Sequence, residues 1–124
     1  MKKLKAQKVY VDIWATWCEP CKKELKHNSQ LYELLRNENL TMLYISIDKD
    51  ERAEKWTEMI KYYPLEGYHI RANKKLYNDL RQIRGEDAFG IPWHILTYGN
   101  ENIIKKYLSG PSKIETLEKQ LNEN

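Results

Sequence analysis

The sequence predicts an α/β fold built on a mixed β-sheet, and three observations carry that reading. Two apolar, β-rich runs, KVYVDIW (8–14) and LTMLYISI (40–47), are each followed by a segment whose apolar residues fall at helical spacing. A right-handed crossover between them makes these two strands parallel. Near the C-terminus, PWHILTY and NIIKKYL flank Gly99 and Asn100, a hairpin signal that adds an antiparallel pair.

Run 8–14 is β-branched and aromatic and contains no breaker, which suits a central strand covered on both faces. Pro20 stands where a first-turn proline is tolerated. From there the row Cys18, Cys21, Leu25, Asn28, Tyr32, Leu35 keeps 3,4 spacing and predicts one long helix over 19–36. After the second strand, Asp48 or Asp50 can cap a helix that turns Ala53, Trp56 and Ile60 inward. Pro64 and Gly67 interrupt the pattern, GYHI adds a short edge strand, and Leu76, Leu80 and Ile83 mark a helix over 74–83. The hairpin strands fall at 92–98 and 102–108. Pro111 then acts as a stop, Ser112 with Glu115 reads as a capping box, and Ile114, Leu117 and Leu121 form the buried stripe of a last helix.

A chain of 124 residues can enclose one core of ordinary size, and no repeat, linker or low-complexity tract divides it, so a single domain over 1–124 is expected. Hydrophobic residues at 41% against charged residues at 31% support a solvated globule rather than disorder. The net charge of +3 comes from 21 basic and 18 acidic residues interspersed along the chain; without a basic stripe, nucleic acid is not an expected partner. MKKLKAQK opens like a signal peptide, but VYVDIW is too short for an h-region and carries Asp12, so neither a signal nor a membrane span is read there.

The chain has two cysteines, Cys18 and Cys21, in the stretch WATWCEPCKKEL. A crosslink over two intervening residues restrains little of the unfolded chain, so the pair is poorly placed as a brace. A helix N-terminus favours thiolate through its free N–H groups and dipole, and Cys18 occupies that place. Cys21, one turn along and more deeply set, is within reach of a disulfide. The asymmetry assigns Cys18 as the exposed nucleophile and Cys21 as the resolving thiol of a cycle that needs no cofactor. Rival readings fare worse. Zinc needs about four ligands, and His27, His69 and His94 hold no recognised spacing to the pair, so no metal is expected. Haem attachment needs His after Cys21, where Lys22 stands. Two inert buried cysteines leave the strand-to-helix position unexplained.

VDIWATWCEPCKKEL resembles the active-site segment of thioredoxin-like proteins, and CEPCKKEL is similar to the TlpA/ResA branch of thiol-disulfide oxidoreductases. The likeness extends through ISIDKD, GIPWHIL, the hairpin and the last helix. It implies a thioredoxin-like fold with a mixed central sheet, helices on both faces and the cysteines at the C-terminal end of a central strand. Cys18 and Cys21 match the redox pair, and Trp17 the tryptophan beside it. Asp12 matches the buried acid that moves the proton of the second cysteine; burial disfavours its charged form and so suits it to act as a base toward Cys21. Glu24 matches an acid lying near the cysteines in the ResA-like branch, so the resemblance leaves open which of Asp12 and Glu24 handles the proton. Two such carboxylates would oppose the helix dipole by repelling a thiolate, while exposed Lys22 and Lys23 pull weakly the other way.

Ile91 and Pro92 match a cis-proline loop that faces the cysteines and pairs with substrate backbone. Trp93 replaces the small residue or Thr expected next, a change that narrows or reshapes the substrate groove. The resemblance further implies reduction of client-protein disulfides, recharging by an upstream electron donor, and an extracytoplasmic, periplasm-like location. Typical members carry an extra N-terminal strand or hairpin before 8–14. Its lack implies the C-terminal domain of a longer exported protein, open to membrane tethering, or a trimmed form. A non-enzymatic thioredoxin-fold binding module is the competing reading; thiol peroxidase is disfavoured by the CEPC spacing.

Overall fold

The computed structural model describes residues 7–100 and 102–123, so most of the charged opening segment lies outside the described residues. Strand β1 (Lys8–Trp14) occupies the middle of a five-stranded sheet. It pairs parallel with β2 (Thr41–Ser46) and antiparallel with β4 (Trp93–Tyr98). The edges are β3 (Tyr68–Arg71), parallel to β2, and β5 (Ile103–Leu108), antiparallel to β4. The spatial order is β3-β2-β1-β4-β5. This is the mixed sheet that the two crossovers and the hairpin imply.

The period of two along β1 divides its side chains between two cores. Val9, Val11 and Ile13 face α4 (Lys74–Arg84), packing with Ile45, Leu80, Trp93 and Ile95. Tyr10 and Trp14 face the opposite side, where they meet Leu25 of α1 (Glu19–Leu25), Leu31 and Leu35 of α2 (Asn28–Asn37), Met59 of α3 (Ala53–Tyr62) and Leu117 of α5 (Ile114–Asn122). Helices therefore cover both faces, and every side chain of β1 beyond Lys8 is buried. Asp12 belongs by parity with Tyr10 and Trp14, on the side that carries the cysteines.

Three local expectations change. The helix predicted over 19–36 is two helices, broken at Lys26 and His27, where the His27 N–H turns to the Glu24 carbonyl at 3.0 Å, a tighter bond to the third rather than the fourth residue back. Cys21, Leu25, Asn28, Tyr32 and Leu35 nevertheless all remain buried, because the bend keeps one face toward the sheet. Neither Asp48 nor Asp50 caps α3, which is entered through a 3-10 turn at Asp50–Arg52 without a side-chain cap. Ser112 and Glu115 do not form the capping box: a second 3-10 turn, Pro111–Lys113, precedes α5, and Ser112 is engaged by Glu24. Elsewhere α4 is framed by Asn73, whose Oδ1 accepts the Leu76 N–H at 2.8 Å, and by left-handed Gly85 at its C-terminus.

Candidate redox-active site

Cys18 and Cys21 are joined as a disulfide. The chain leaves β1 through Ala15, Thr16 and Trp17, and Cys18 sits in extended conformation as the N-cap of α1, with Pro20 in the first turn. The Cys21 N–H donates to Cys18 Sγ at 3.1 Å, so one of the helix's free amides is spent on the sulfur that would carry negative charge in the dithiol form. Cys18 Sγ also lies 3.6 Å from the carbonyl oxygen of Ile91, and the Ile91–Pro92 peptide bond is cis. The loop that carries the proline thus faces the cysteine pair. Trp17 is 53% exposed beside it.

Cys21 is the more buried of the two, at 1%, but Cys18 is only 4% exposed in the disulfide. The expectation of an exposed Cys18 is corrected accordingly. Its sulfur is enclosed between the Cys21 amide and the Ile91 carbonyl.

Asp12 is buried, 2% exposed, opposite His94 in the β1–β4 register. The two side chains leave the sheet on one face, and His94 Nε2 stands 3.6 Å from Asp12 Oδ2. His94 is itself 4% exposed and stacks on Tyr10 at 5.6 Å between ring centroids. Neither Asp12 Oδ1 nor His94 Nε2 has a hydrogen-bond partner among the described residues. Burial raises the pKa of Tyr10 well above that of an ordinary phenol, with the charges of Asp12 and then Glu24 adding to the rise. Its hydroxyl stays a donor, to the Ser109 carbonyl at 3.0 Å.

Glu24 does not hang free beside the cysteines. Its carboxylate accepts from the Ser112 N–H at 3.0 Å and the Ser112 hydroxyl at 2.6 Å, which fastens α1 to the turn before α5. Gly110 makes room for this: a β-carbon there would run into Glu24 Oε1 and come within 2.9 Å of His94 Cε1. Trp93 also departs from expectation. At 3% exposed it lies in the core beneath α4, its indole N–H donates to the Lys106 carbonyl at 2.8 Å, and Arg84 stacks on its ring. It presents no surface to a groove.

Sequence reasoning missed Asp48. Its buried carboxylate accepts from the Thr16 N–H at 3.0 Å, the Thr16 hydroxyl at 2.6 Å and the Ser46 hydroxyl at 2.5 Å, with the Arg52 guanidinium 3.5 Å away. This cluster holds the loop between β1 and Cys18. The available signal was Thr16 and Ser46, two hydroxyls placed where apolar strands end. His94 was weighed only as a zinc ligand; its parity with Leu96 already put it on the cysteine side. Among the described residues, no three His, Cys, Asp or Glu side chains gather as a metal site.

A family model for the AhpC/TSA family matches residues 1–110. The thiol-disulfide oxidoreductase ResA of Bacillus cereus is 32% identical over 65 residues, 52% of this chain and 36% of that protein. Sporulation thiol-disulfide oxidoreductase A of Bacillus subtilis is 25% identical over 125 residues, covering 96% of this chain and 69% of its own length. Among solved structures, the thioredoxin domain of a thiol-disulfide oxidoreductase from Bacteroides vulgatus superposes with a TM-score of 0.74 at 25% identity, covering 98% of this chain and 84% of that one. The chain spans about a third of the length of the ResA relatives it matches. With that match over residues 1–110 and the thioredoxin-like fold around its cysteine pair, the chain belongs to the AhpC/TSA family.

Proposed function

We propose that this chain is a protein thiol-disulfide oxidoreductase that reduces client disulfides through Cys18 and Cys21. The observation that carries the reading is the placement of Cys18: its sulfur receives a helix amide and faces the Ile91 carbonyl of the cis-proline loop. A thiolate there has both electrostatic support and an adjacent backbone edge on which an extended client segment can pair. In the dithiol form, Cys18 thiolate attacks a client disulfide, forming a mixed disulfide and expelling one client thiolate. Cys21 then gives up its proton and attacks Cys18 Sγ, which closes the Cys18–Cys21 disulfide and expels the second client thiolate. Two electrons pass to the client and no cofactor enters.

Asp12, buried on the cysteine side of β1, is the base we assign to Cys21. Trp17, Ile91 and Pro92 border the attack position and form the client-facing surface. Glu24 acts by fixing α1, since Ser112 occupies its carboxylate. A thiol donor must restore the dithiol after each turnover. An extracytoplasmic setting, where client disulfides persist, agrees with this chemistry. The direction of electron flow rests on likeness to the ResA proteins.

Trapping tests the reading. Cys21→Ser accumulates a mixed disulfide with a model client such as insulin, released by dithiothreitol, while Cys18→Ser accumulates none. Equilibration in thiol-disulfide buffers should give a reversible two-electron transition; potentials near about −270 mV indicate a reductant and near about −120 mV an oxidant. Absence of both the transition and the trapped species leaves only a binding module.

A further inference from the structure

On the side of the sheet that carries Cys21 lies a buried group that the exchange cycle, as just described, does not use. His94 projects from β4 directly opposite Asp12, the two at 4% and 2% exposure and 3.6 Å apart, each with an atom that no group among the described residues satisfies. The same space is faced by Tyr10 from β1, by Glu24 from α1 and by the backbone of Gly110 ahead of α5. Tyr10 is neutral, and Glu24 is held by two donors from Ser112. At 3.6 Å the Asp12 carboxylate is the partner to which a proton on His94 Nε2 can answer, and Glu24, engaged by Ser112, is the other acid that faces the ring.

An isolated buried carboxylate is disfavoured as an ion and would hold its proton, which leaves it useless as a base. An imidazole 3.6 Å away changes this, because a proton on its ring supplies the opposite charge that an ionised buried carboxylate needs. We propose that His94 is a positioning residue that acts through Asp12: the Asp12–His94 pair holds one proton while Cys21 is a thiol and two when Cys21 is a thiolate. In the first state the pair is a carboxylate and an imidazolium, net neutral, and Asp12 is ready to accept. In the second, Asp12 has taken the proton of Cys21, and the remaining imidazolium balances the thiolate charge. Proton and charge are both conserved among Asp12, His94 and Cys21. When Cys21 has closed the disulfide and the client thiolate has left, the pair returns its extra proton to solvent or to that thiolate.

This inference rests on the exchange reading above, and one experiment separates the two. The reduced protein is mixed with a nitrobenzoate disulfide whose released thiolate is coloured; a first release reports attack by Cys18, and a second reports attack by Cys21 on the mixed disulfide. In wild type both releases occur; if the second never does, the exchange reading itself fails. In His94→Gln the second release slows at neutral pH by on the order of tenfold or more, the first stays within about twofold, and the deficit shrinks as pH rises through the range in which a thiol ionises unaided, about 8.5. The acid limb of the second phase moves to higher pH. In Asp12→Asn, adding His94→Gln slows the second phase no further, because His94 acts through Asp12. A second-phase pH profile of His94→Gln that superimposes on wild type overturns the proposal, as does full additivity of the two substitutions. Should His94→Gln not fold, imidazole nitrogen shifts of wild type decide it: the titration midpoint of His94 must differ between disulfide and dithiol forms, and an unchanged midpoint overturns the proposal.

Discussion

Replacing Asp48 with Ala tests how much of the active-site loop hangs on one carboxylate. Three donors lose their acceptor at once: the Thr16 N–H, the Thr16 hydroxyl and the Ser46 hydroxyl. A buried donor left without a partner costs about 1–3 kcal/mol. The hydroxyls can rotate toward other acceptors, whereas the backbone N–H cannot. Removing the buried anion recovers some desolvation energy but also takes away the carboxylate that Arg52 faces, leaving it the Thr16 hydroxyl. The net expectation is a loss of about 3–5 kcal/mol, a large part of the ~5–15 kcal/mol that holds a domain together. Asp48→Asn keeps the volume and one accepting oxygen, and should cost about half as much. Arg52→Ala should cost under about 1 kcal/mol, because its side chain is 41% exposed and its ion pair is screened. Urea unfolding followed by tryptophan fluorescence on the oxidised protein measures all three. If Asp48→Ala loses less than about 1 kcal/mol with an unchanged slope, or if Arg52→Ala equals it, the cluster is not what anchors the loop.

Three further outcomes are expected. Gly110 is extended, with φ −82° and ψ 177°, so Gly110→Ala strains no backbone and any cost is steric; we expect about 1–3 kcal/mol, falling when Glu24→Ala is combined with it, and strict additivity of the two would refute the contact. Burial raises the Tyr10 and Tyr44 pKa values, so their contribution is intact below about pH 10 and is lost above it, as the unfolded chain ionises and the folded one does not. Two such groups lower stability by about 3 kcal/mol per pH unit there, and a urea midpoint that stays flat from about pH 10 to 11.5 would contradict it. Trp93→Ala should cost about 3–5 kcal/mol in stability, with kcat/KM for a peptide disulfide within about twofold of wild type below the unfolding range; a change in client preference at unaltered stability would return Trp93 to the groove.

What could be read ahead was whatever periodicity or a fixed spacing encodes. β1 and β2 announce themselves by uninterrupted β-branched and aromatic runs, the hairpin by Gly99 and Asn100, and the cysteine pair by its place between strand and helix. The break at His27 was less visible, since the apolar row continues across it; the run His27, Asn28, Ser29 was the only hint of a new helix start. Polar side chains with a choice of partner escaped altogether. Ser112 has a legitimate local partner three residues on, and instead bonds an acid 88 positions earlier in the chain. Asp48 sits where a cap belongs, yet turns back to Thr16. Local rules rank near neighbours, and the tertiary fold supplied better ones. Asp12 and His94 are a similar case: Asp12 was legible as a buried acid, His94 was weighed only as a metal ligand, and only strand register puts them opposite one another.

The short stretch Ser109–Ser112 makes three tethers: Tyr10 to the Ser109 carbonyl, Gln30 to the Pro111 carbonyl, and Ser112 to Glu24. Each joins the end of the chain to its beginning, across 81 to 99 positions. During synthesis the redox helix is therefore made well before its clasp. Until residues 93–112 leave the ribosome, the two cysteines sit on a segment with neither its antiparallel neighbour β4 nor its clasp at Ser109–Ser112. A nascent chain halted before Ser109 should expose its thiols to any passing alkylating agent, and one extended past Ser112 should shield Cys21 first.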